Sequence, residues 1–426
     1  MNNNKRSAVS TVPKANPLRV GFIGLSAVKG WAIKSHYPAI LQLPSQFKIT
    51  ALLNSDLESS LNTIKKLKLT HAKAFADVTS FASFTDVDMI VVSVKVPNHH
   101  GILTKLLEHS VKNPNLKYLF VEWSLGSNLR EAEDIYKAAQ KRGIQTIISL
   151  QGRKSPYIVR AKELISEGCI GEINSIEIAA NGGWYGYERP LKSPSYLYDI
   201  ESGVNLISHS FGHTIDLLQY ITSSYFSEIN SMMFNNIPYQ ELLDEHGKRT
   251  GKKVPKTAPD HLLFQAALAN GNVPVSCSFK GGTPVKKFTK NLVIDIHGTK
   301  GDLKLEGDAG FAEISNLVLY FCGMKAADPG GPSSTSKADE ANETMEVYHL
   351  RNYNSVVGNI LRIYEAIADF HFKSNPRHNL PAKLERQGFL FEGFPTFKDA
   401  LILHRLIDKV FQSSEEKKTL TVPIVS

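Results

Sequence analysis

Two histidines spaced four residues apart, His209 and His213, are the pair whose type and spacing come closest to a reactive centre. Residues four apart lie on one face of a helix, so two imidazoles at this spacing can share a metal ion. The sequence shows no third ligand beside them, and we therefore predict no metal site. The three cysteines, Cys169, Cys277 and Cys322, are far apart and form no C-x-x-C pair, so we interpret them as reduced thiols.

A second candidate is a turn that follows the first predicted strand, GLSAVKGW at residues 24–31. A G-x-G-x-x-G turn lets backbone amides and a helix N-terminus approach a pyrophosphate. Here only Gly24 is in register, with Ser26 at the second position and Lys29 at the third. We nevertheless predict a dinucleotide site, in which Lys29 attracts phosphate and Trp31 either offers a ring face or fills the core.

The residue that chooses between NAD and NADP is not evident. Dinucleotide-binding proteins specific for NAD usually carry an acid at the end of the second strand, where it binds the ribose hydroxyls. This chain has Asn54, which forms hydrogen bonds without charge, so we predict NAD or NADP without a preference. His99 and His100 we interpret as loop polarity near the nicotinamide end of the cleft.

Apolar runs place these residues on a recognisable scaffold. Strands are predicted at residues 18–23, 47–53, 89–94, 117–121 and 145–150, with helices between them. The clearest helix begins at the cap Asn128 and ends at Gly143. Strands that alternate with helices indicate a doubly wound parallel sheet, a Rossmann domain over residues 18–153.

The pattern changes near residue 150. Strands at antiparallel spacing are predicted at 173–179, 228–234, 261–268, 273–279, 292–297 and 318–321, with a hairpin at Asn270-Gly271. Helices are predicted at about 204–221, 355–372 and 397–411. The predicted fold is therefore α/β, with the N-terminal Rossmann domain followed at 154–426 by an α+β domain on a large, mainly antiparallel open sheet. A disordered tail at 1–17 and a flexible loop at about 323–342 complete the organisation.

The composition limits the partners. A formal net charge of +8 favours acidic partners, such as nucleic acid, an anionic surface or an acidic peptide. No recognition-helix motif, zinc finger or basic zipper is present, so we expect no direct DNA binding. No apolar run approaches the ~18–20 residues of a membrane span, and no secretory signal precedes the first strand, so we expect an intracellular protein.

Several segments together resemble the glucose–fructose oxidoreductase and inositol dehydrogenase family. They are VGFIG at 20–24, VDMIVV at 87–92, PNHH at 97–100, QGRKSP at 151–156, 203–216 and IHGTKG at 296–301. The resemblance implies a Glu-Lys-Pro site after the fifth strand and an aspartate four residues before a histidine. Here Glu122 and His213 match, whereas Trp123, Ser124 and His209 hold the places of the lysine, proline and aspartate. An indole N–H donates one hydrogen bond and does not titrate, so we predict no catalytic residues and no enzyme.

At a closer level the chain resembles one non-enzymatic branch, the galactose-regulon repressors of yeasts. The segments that carry this are STVP at 10–13, GWA at 30–32, YLFVEW at 118–123, NGGWYGYERP at 181–190, SFKGG at 278–282 and HLRNYN at 349–354. The resemblance implies a dimer or higher oligomer that masks the acidic activation domain of a DNA-bound activator. A galactokinase-like sensor loaded with galactose and ATP relieves the block. Residence in the nucleus and the cytoplasm follows from this function.

The expected site residues fall into two groups. Those near the dinucleotide are Gly24, Ser26, Lys29, Trp31, Asn54, Pro97, His100 and Glu122. Those lining a neighbouring cleft for the partner peptide are Trp123, Gln151, Arg153, Trp184, Tyr185 and His213, although Arg153 and Trp184 are equally consistent with anchoring the domain junction. The alternatives are an active NAD(P)-dependent sugar oxidoreductase with an altered proton relay, and a small-molecule sensor or scaffold without transcription partners.

Overall fold

The structure, a computed structural model, describes residues 16–182, 185–282, 290–324, 343–348, 350, 355–372 and 393–423. Six parallel strands form the first sheet, in the order β3-β2-β1-β4-β5-β6. They are β1 Leu18–Ile23, β2 Phe47–Leu53, β3 Lys73–Phe75, β4 Met89–Val92, β5 Tyr118–Val121 and β6 Gln145–Ile148. Strands β4 and β5 are buried along their whole length, which explains their unbroken apolar sequences. The order reverses between β1 and β4, the point at which such sheets bind ligands, and the predicted Rossmann domain is confirmed.

Five α-helices connect these strands. They are α1 His36–Ile40, α2 Leu57–Lys66, α3 Val78–Ala82, α4 His99–His109 and α5 Leu129–Arg142. Helix α5 has the predicted ends, because the Asn128 side chain accepts a hydrogen bond from the Glu131 amide (3.0 Å) and Gly143 adopts a φ of +69°. Helix α1 is shorter than the turn motif suggested, since it begins only at His36.

The second sheet has nine strands in the order β17-β16-β15-β14-β7-β13-β12-β9-β18. All its described pairings are antiparallel except β7 with β13, so the predicted mainly antiparallel sheet is confirmed. The strands are β7 Ile173–Asn181, β9 Phe226–Phe234, β12 His261–Leu268, β13 Pro274–Lys280, β14 Leu292–Gly298, β15 Gly301–Gly307, β16 Leu317–Met324, β17 Glu343–Tyr348 and β18 Leu420–Thr421.

A small third sheet, β11-β10-β8, occupies a region for which no strand was predicted. It comprises β8 Glu188–Pro190, β10 Tyr239–Leu243 and β11 Arg249–Pro255. Its polar, largely exposed strands lack the apolar alternation on which strand prediction depends. The same difficulty applies to β3 and β18, which are only three and two residues long.

The helices of the second half pack on both sheets. They are α6 Pro156–Ser166, the π-helix Leu206–Phe211, α7 Gly212–Thr222, α8 Ser355–Phe372 and α9 Phe397–Glu416. The predicted helix at 204–221 is thus a π-helical turn that continues into α7, and α9 extends five residues beyond its predicted end. No helix among the described residues is long and apolar enough to cross a membrane.

Helix α8 packs away from the sheet that precedes it in sequence. Its side chains Ile360, Ile363, Tyr364 and Ile367 belong to one buried cluster with Phe22 and other residues of the parallel sheet. The C-terminal part of the chain therefore completes the N-terminal core. Residues 1–15 of the tail predicted at 1–17 and residues 325–342 of the loop predicted at about 323–342 lie outside the described residues.

Candidate functional site

The turn after β1 has the backbone of a phosphate-binding loop. Gly24 has a φ of +95°, and a Cβ at this position would lie 2.3 Å from the Ser93 carbonyl oxygen. Only glycine fits such a position without a shift of the backbone. Because β1 and β4 are neighbours, the loop 24–30 and the loop that begins at Ser93 form the two sides of one crevice.

A cavity of about 300 Å³ opens beside this turn. Ser26, Ala27 and Val28 line one wall, and the residues of the other wall are Asp56, Glu58, Ser59, Asn62, Thr63 and Lys66. Lys29 is exposed at the tip of the turn. Glu58, Asn62 and Lys66 were not among the predicted site residues, because they lie on helix α2 and carry no motif of their own.

Asn54 takes a structural role rather than the predicted ligand role. Its side-chain amide donates a hydrogen bond to the Leu25 carbonyl (2.9 Å) and lies 3.4 Å from the Ser59 carbonyl. Its donors thus tie the phosphate turn to helix α2, and only the side-chain oxygen remains for a ribose hydroxyl.

Trp31 is half-buried at the start of the turn that leads to α1. Its carbonyl accepts hydrogen bonds from the amides of Lys34 (2.9 Å) and Ser35 (3.0 Å). Its indole Nε1 is buried and has no hydrogen-bond partner among the described residues. A buried N–H group without a partner is costly, so the Trp31 indole N–H is a candidate donor to a bound ligand.

In the loop after β4, His100 requires a correction and Pro97 does not. Pro97 is exposed just beyond β4 and stays a predicted site residue, whereas His100 lies on the outer side of α4 with its Nε2 3.4 Å from Asp134. The neighbouring His99 is the buried one, with Nδ1 2.8 Å from the Ser124 carbonyl. Since α4 begins at His99, successive side chains point in different directions, and His99 rather than His100 supports the end of β5.

Glu122 ends β5 and joins a buried chain of polar groups. Its carboxylate forms a short contact with His36 Nε2, and His36 Nδ1 lies 2.8 Å from the Tyr364 hydroxyl. This chain connects β5, α1 and α8. Neither His36 nor Tyr364 was predicted, because each reaches Glu122 only through the tertiary fold.

Trp123 is a buried structural residue, which corrects the prediction that it lines a peptide cleft. Its residue is only 4% exposed, and its indole N–H donates to the Ser208 carbonyl (2.9 Å) of the π-helix. Its ring packs at 4.8 Å from that of His404 and 6.4 Å from that of His213. The indole thus joins the parallel sheet to the π-helix and to α9.

Arg153 and Gln151 are likewise internal. Arg153 takes the anchoring role that the sequence left open beside the cleft, whereas the placement of Gln151 in the cleft is corrected. The Arg153 guanidinium donates to Asp216 (2.9 Å from Nε) and to Asp399 (2.8 Å from Nη1), joining α7 to the first turn of α9. Gln151 is buried and accepts a hydrogen bond from the Ser149 hydroxyl (3.1 Å). Tyr185 is fully buried, whereas Trp184 lies outside the described residues.

His209 and His213 meet a third residue that the sequence did not reveal, Glu313. The two imidazole rings lie 5.1 Å apart, and His213 Nε2 is 3.9 Å from a Glu313 carboxylate oxygen. Glu313 comes from the loop between β15 and β16, about one hundred residues away in sequence. The three ligand atoms lie within 4.8 Å of one another.

Burial keeps this cluster uncharged. It lowers the pKa of His209 to about 4, and, together with His209, it lowers the pKa of His213 well below its usual value. Burial also raises the pKa of Glu313 to about 8. A neutral imidazole whose protonated form is strongly disfavoured is a weak general base, so the cluster is poorly suited to proton transfer at neutral pH.

Two family models match the chain, one to each sheet. The model described as "Oxidoreductase family, NAD-binding Rossmann fold" matches residues 18–149, and that described as "Gal80p, C-terminal domain" matches residues 156–307. The galactose/lactose metabolism regulatory protein GAL80 of Saccharomyces cerevisiae is 65% identical over 431 residues, which cover 100% of this chain and 99% of that protein. The chain belongs to the Gal80 family.

Solved structures agree with this assignment. The transcriptional regulator Gal80p from Kluyveromyces lactis is 64% identical, with a TM-score of 0.85 over 96% of this chain and 95% of that one. A levoglucosan dehydrogenase in complex with NADH and L-sorbose has a TM-score of 0.71 at 17% identity over 96% of this chain and all of that one, which shows a shared fold alone. Membership in the Gal80 family assigns the chain to the regulators of galactose and lactose metabolism, built on an oxidoreductase fold.

Proposed function

We propose that this protein is a transcriptional repressor that binds and masks the acidic activation domain of the galactose-gene activator, and that it has no hydride-transfer activity. The observation that carries the proposal is the state of Trp123. At the position where the resembling enzymes have a proton-relaying lysine, a buried indole donates its only hydrogen to the Ser208 carbonyl. No titrating group is therefore available at this position.

The chain's residues fit a dinucleotide, NAD or NADP, at the carboxyl edge of the parallel sheet. The glycine-only position at Gly24, the cavity of about 300 Å³ and the unpartnered indole N–H of Trp31 all lie at the turn after β1. Lys29 would add charge attraction to the phosphates. In this proposal the dinucleotide is a bound ligand that forms part of the peptide groove and is not turned over.

The peptide would then bind at the rim of the crevice rather than against the buried residues that the sequence suggested. Lys29 is exposed on one side, and on the other the Lys95 ammonium lies 5.5 Å from the centroid of the Tyr196 ring. Val28, next to Lys29 in the turn, is 73% exposed and offers an apolar contact. Lysines beside apolar and aromatic surface suit an amphipathic acidic peptide.

The remaining features of the proposal concern assembly. On the outer face of the nine-stranded sheet, the exposed Met232 and Leu263 are cross-strand partners, and Met345 and Val347 are exposed on β17. An apolar sheet face of this kind supports a homodimer. A galactokinase-like sensor would relieve repression, and the protein would act in the nucleus and the cytoplasm.

The location of the peptide can be tested with charge reversals. We expect Lys29→Glu and Lys95→Glu each to weaken the binding of a fluorescent acidic amphipathic peptide by about 3-fold to 10-fold at low ionic strength. Lys48→Glu makes the same change of net charge at the amino-terminal end of β2 and serves as the control. Equal weakening by all three variants would mean that the peptide responds to net charge and does not bind at this rim.

A further inference from the structure

A cluster of metal-ligating side chains lies outside the groups that the proposed function uses. His209, His213 and Glu313 each present one ligand atom, and these atoms lie within 4.8 Å of one another. Two neutral imidazole nitrogens and one carboxylate oxygen form the ligand set of many three-residue zinc sites. Such a set differs from a group of surface acids, because two of its three residues are buried and it mixes nitrogen with oxygen donors.

The second observation is that this cluster holds polar atoms without partners. His209 Nδ1 and Glu313 Oε2 are both buried and accept or donate no hydrogen bond among the described residues. Glu313 itself is only 3% exposed. Buried polar atoms are normally paired, so two unpaired atoms in one cluster point to a missing partner that contacts both. A cation satisfies this requirement, because each of these atoms can offer it a lone pair.

The backbone around the cluster is well fixed. Asn205 caps the π-helix, with its side chain accepting hydrogen bonds from the amides of Ile207 (2.9 Å) and Ser208 (3.2 Å). On the opposite side, Asn359 donates to the Glu313 carbonyl (2.9 Å), and the Ser355 hydroxyl donates to the Ile314 carbonyl (2.7 Å). The backbone segments that carry His209 and Glu313 are therefore both held by side-chain hydrogen bonds.

The distances allow coordination after small movements. Zinc binds imidazole nitrogen at about 2.0–2.1 Å and carboxylate oxygen at about 2.0–2.2 Å, so ligands at a tetrahedral ion stand about 3.4 Å apart. His213 Nε2 and the nearer Glu313 oxygen are 3.9 Å apart. The ligand atoms lie within 4.8 Å of one another, so each pair must approach by about 1.4 Å or less to reach the separation at a tetrahedral ion. The π-helical turn that carries His209 is a form of helix frequently found at functional sites.

We propose that His209, His213 and Glu313 bind a divalent transition-metal ion, with Zn²⁺ as the best fit to two imidazoles and one carboxylate. The ion links the π-helix and α7 to the loop 308–316 and leaves at least one coordination position for water or another ligand. Because the Trp123 indole donates to the Ser208 carbonyl of the π-helix, the ion also holds in place the segment that Trp123 contacts.

The experiment uses the full chain, stripped with a chelator and then dialysed against Zn²⁺. Metal analysis is expected to find about one zinc ion per chain. Glu313→Gln and His209→Gln should each weaken zinc binding by at least about 100-fold, since loss of an outer-shell partner alone costs 10-fold to 100-fold. Glu177→Gln and His246→Gln, which make the same chemical changes at exposed positions, are the controls and should retain the ion.

A second measurement does not depend on the folding of the variants. Co²⁺ added to the stripped wild-type protein should give the d–d absorption of a low-coordinate ion with nitrogen ligands. A wild-type protein that binds no stoichiometric zinc, or Co²⁺ that keeps the spectrum of the hydrated ion, would overturn the proposal. So would zinc retained by the folded Glu313→Gln and His209→Gln proteins.

Discussion

At the scale of single residues, two tryptophans use their indole N–H groups in opposite ways. Trp123 donates to the Ser208 carbonyl, whereas Trp31 has a buried N–H without a partner among the described residues. The first hydrogen bond is present in the free protein, and we propose that a bound ligand supplies the second. Trp123 therefore contributes to stability, and the proposal assigns Trp31 to ligand binding.

Replacement of Trp123 by phenylalanine should test the first half of this contrast. Trp123→Phe keeps an aromatic ring but removes the indole N–H that donates to the Ser208 carbonyl, and one such hydrogen bond is worth about 0.5–1.5 kcal/mol. We expect urea unfolding to show this loss in the free energy of unfolding, with peptide affinity changed by less than about 3-fold. A stable variant that no longer binds peptide would instead return Trp123 to the groove.

The same substitution at Trp31 should have the opposite outcome. Trp31→Phe removes an N–H that has no partner, so the free energy of unfolding should not fall by more than about 1 kcal/mol. Affinity for NAD, measured by calorimetry, should drop by about 5-fold, the value of one hydrogen bond. Unchanged NAD affinity would show that the Trp31 N–H does not contact the dinucleotide.

At the scale of elements, helix α9 holds the two sheets together. Its first turn receives Arg153 through Asp399, and its middle places His404 against Trp123. Thr396 and Asp399 form a capping box at its start. Because these contacts are buried, a change in the protonation of Asp399 or His404 should alter the free energy of unfolding.

Mild acid should destabilise the protein through His404. Burial, with a smaller contribution from His99, lowers the pKa of His404 to about 3, so the folded protein keeps this ring neutral. The unfolded chain takes up a proton below its ordinary pKa of about 6.5. Stability should therefore be present in full above pH 6.5 and fall by about 1.4 kcal/mol per pH unit towards pH 3 for this ring.

His404→Gln is the matched variant for this pH dependence. Glutamine does not titrate, so the slope of unfolding free energy against pH between 6.5 and 4 should decrease by about one proton. Between pH 7 and 8 the difference between variant and wild type should stay constant. Parallel slopes below pH 6.5 would show that His404 is protonated in the folded protein.

At the scale of the whole molecule, a helix from the C-terminal part of the chain packs against the N-terminal sheet. Helix α8 follows the second sheet in sequence but packs against the first, where Tyr364 reaches His36 and, through it, Glu122. The core of the Rossmann half is therefore completed by residues more than two hundred positions away. A substitution in one half should alter the stability of the other.

Tyr364→Phe should reveal this coupling. Loss of the hydroxyl leaves the buried His36 Nδ1 without its partner, and we expect a loss of about 1–3 kcal/mol in the free energy of unfolding. His36 would then hold the Glu122 carboxylate less firmly, and the affinity for NAD should also fall. Tyr37→Phe is the control, because its hydroxyl is half-buried and makes only a 3.4 Å contact with Leu67. Equal effects of the two variants would contradict the coupling.

Local patterns were sufficient for the two large sheets but not for the small third sheet or for the site. The buried runs of β4 and β5 and the caps of α5 are signals that a segment carries within itself, so they could be predicted from sequence. His36, Glu313, Tyr364 and His404 come from distant segments, and nothing near them in sequence marks their role. The choice between His99 and His100 depends on where α4 begins, an uncertainty of one residue that reverses which side chain is buried.

We propose that this oxidoreductase fold captures a peptide and catalyses no hydride transfer. The most direct measurement titrates the purified protein with an acidic amphipathic activation-domain peptide, with and without NAD, and follows NADH formation on common sugars in the same samples. We predict peptide binding with a dissociation constant in the micromolar range or tighter, about −8 kcal/mol or more favourable, and no NADH. Steady NADH formation on a sugar without peptide binding would contradict the account.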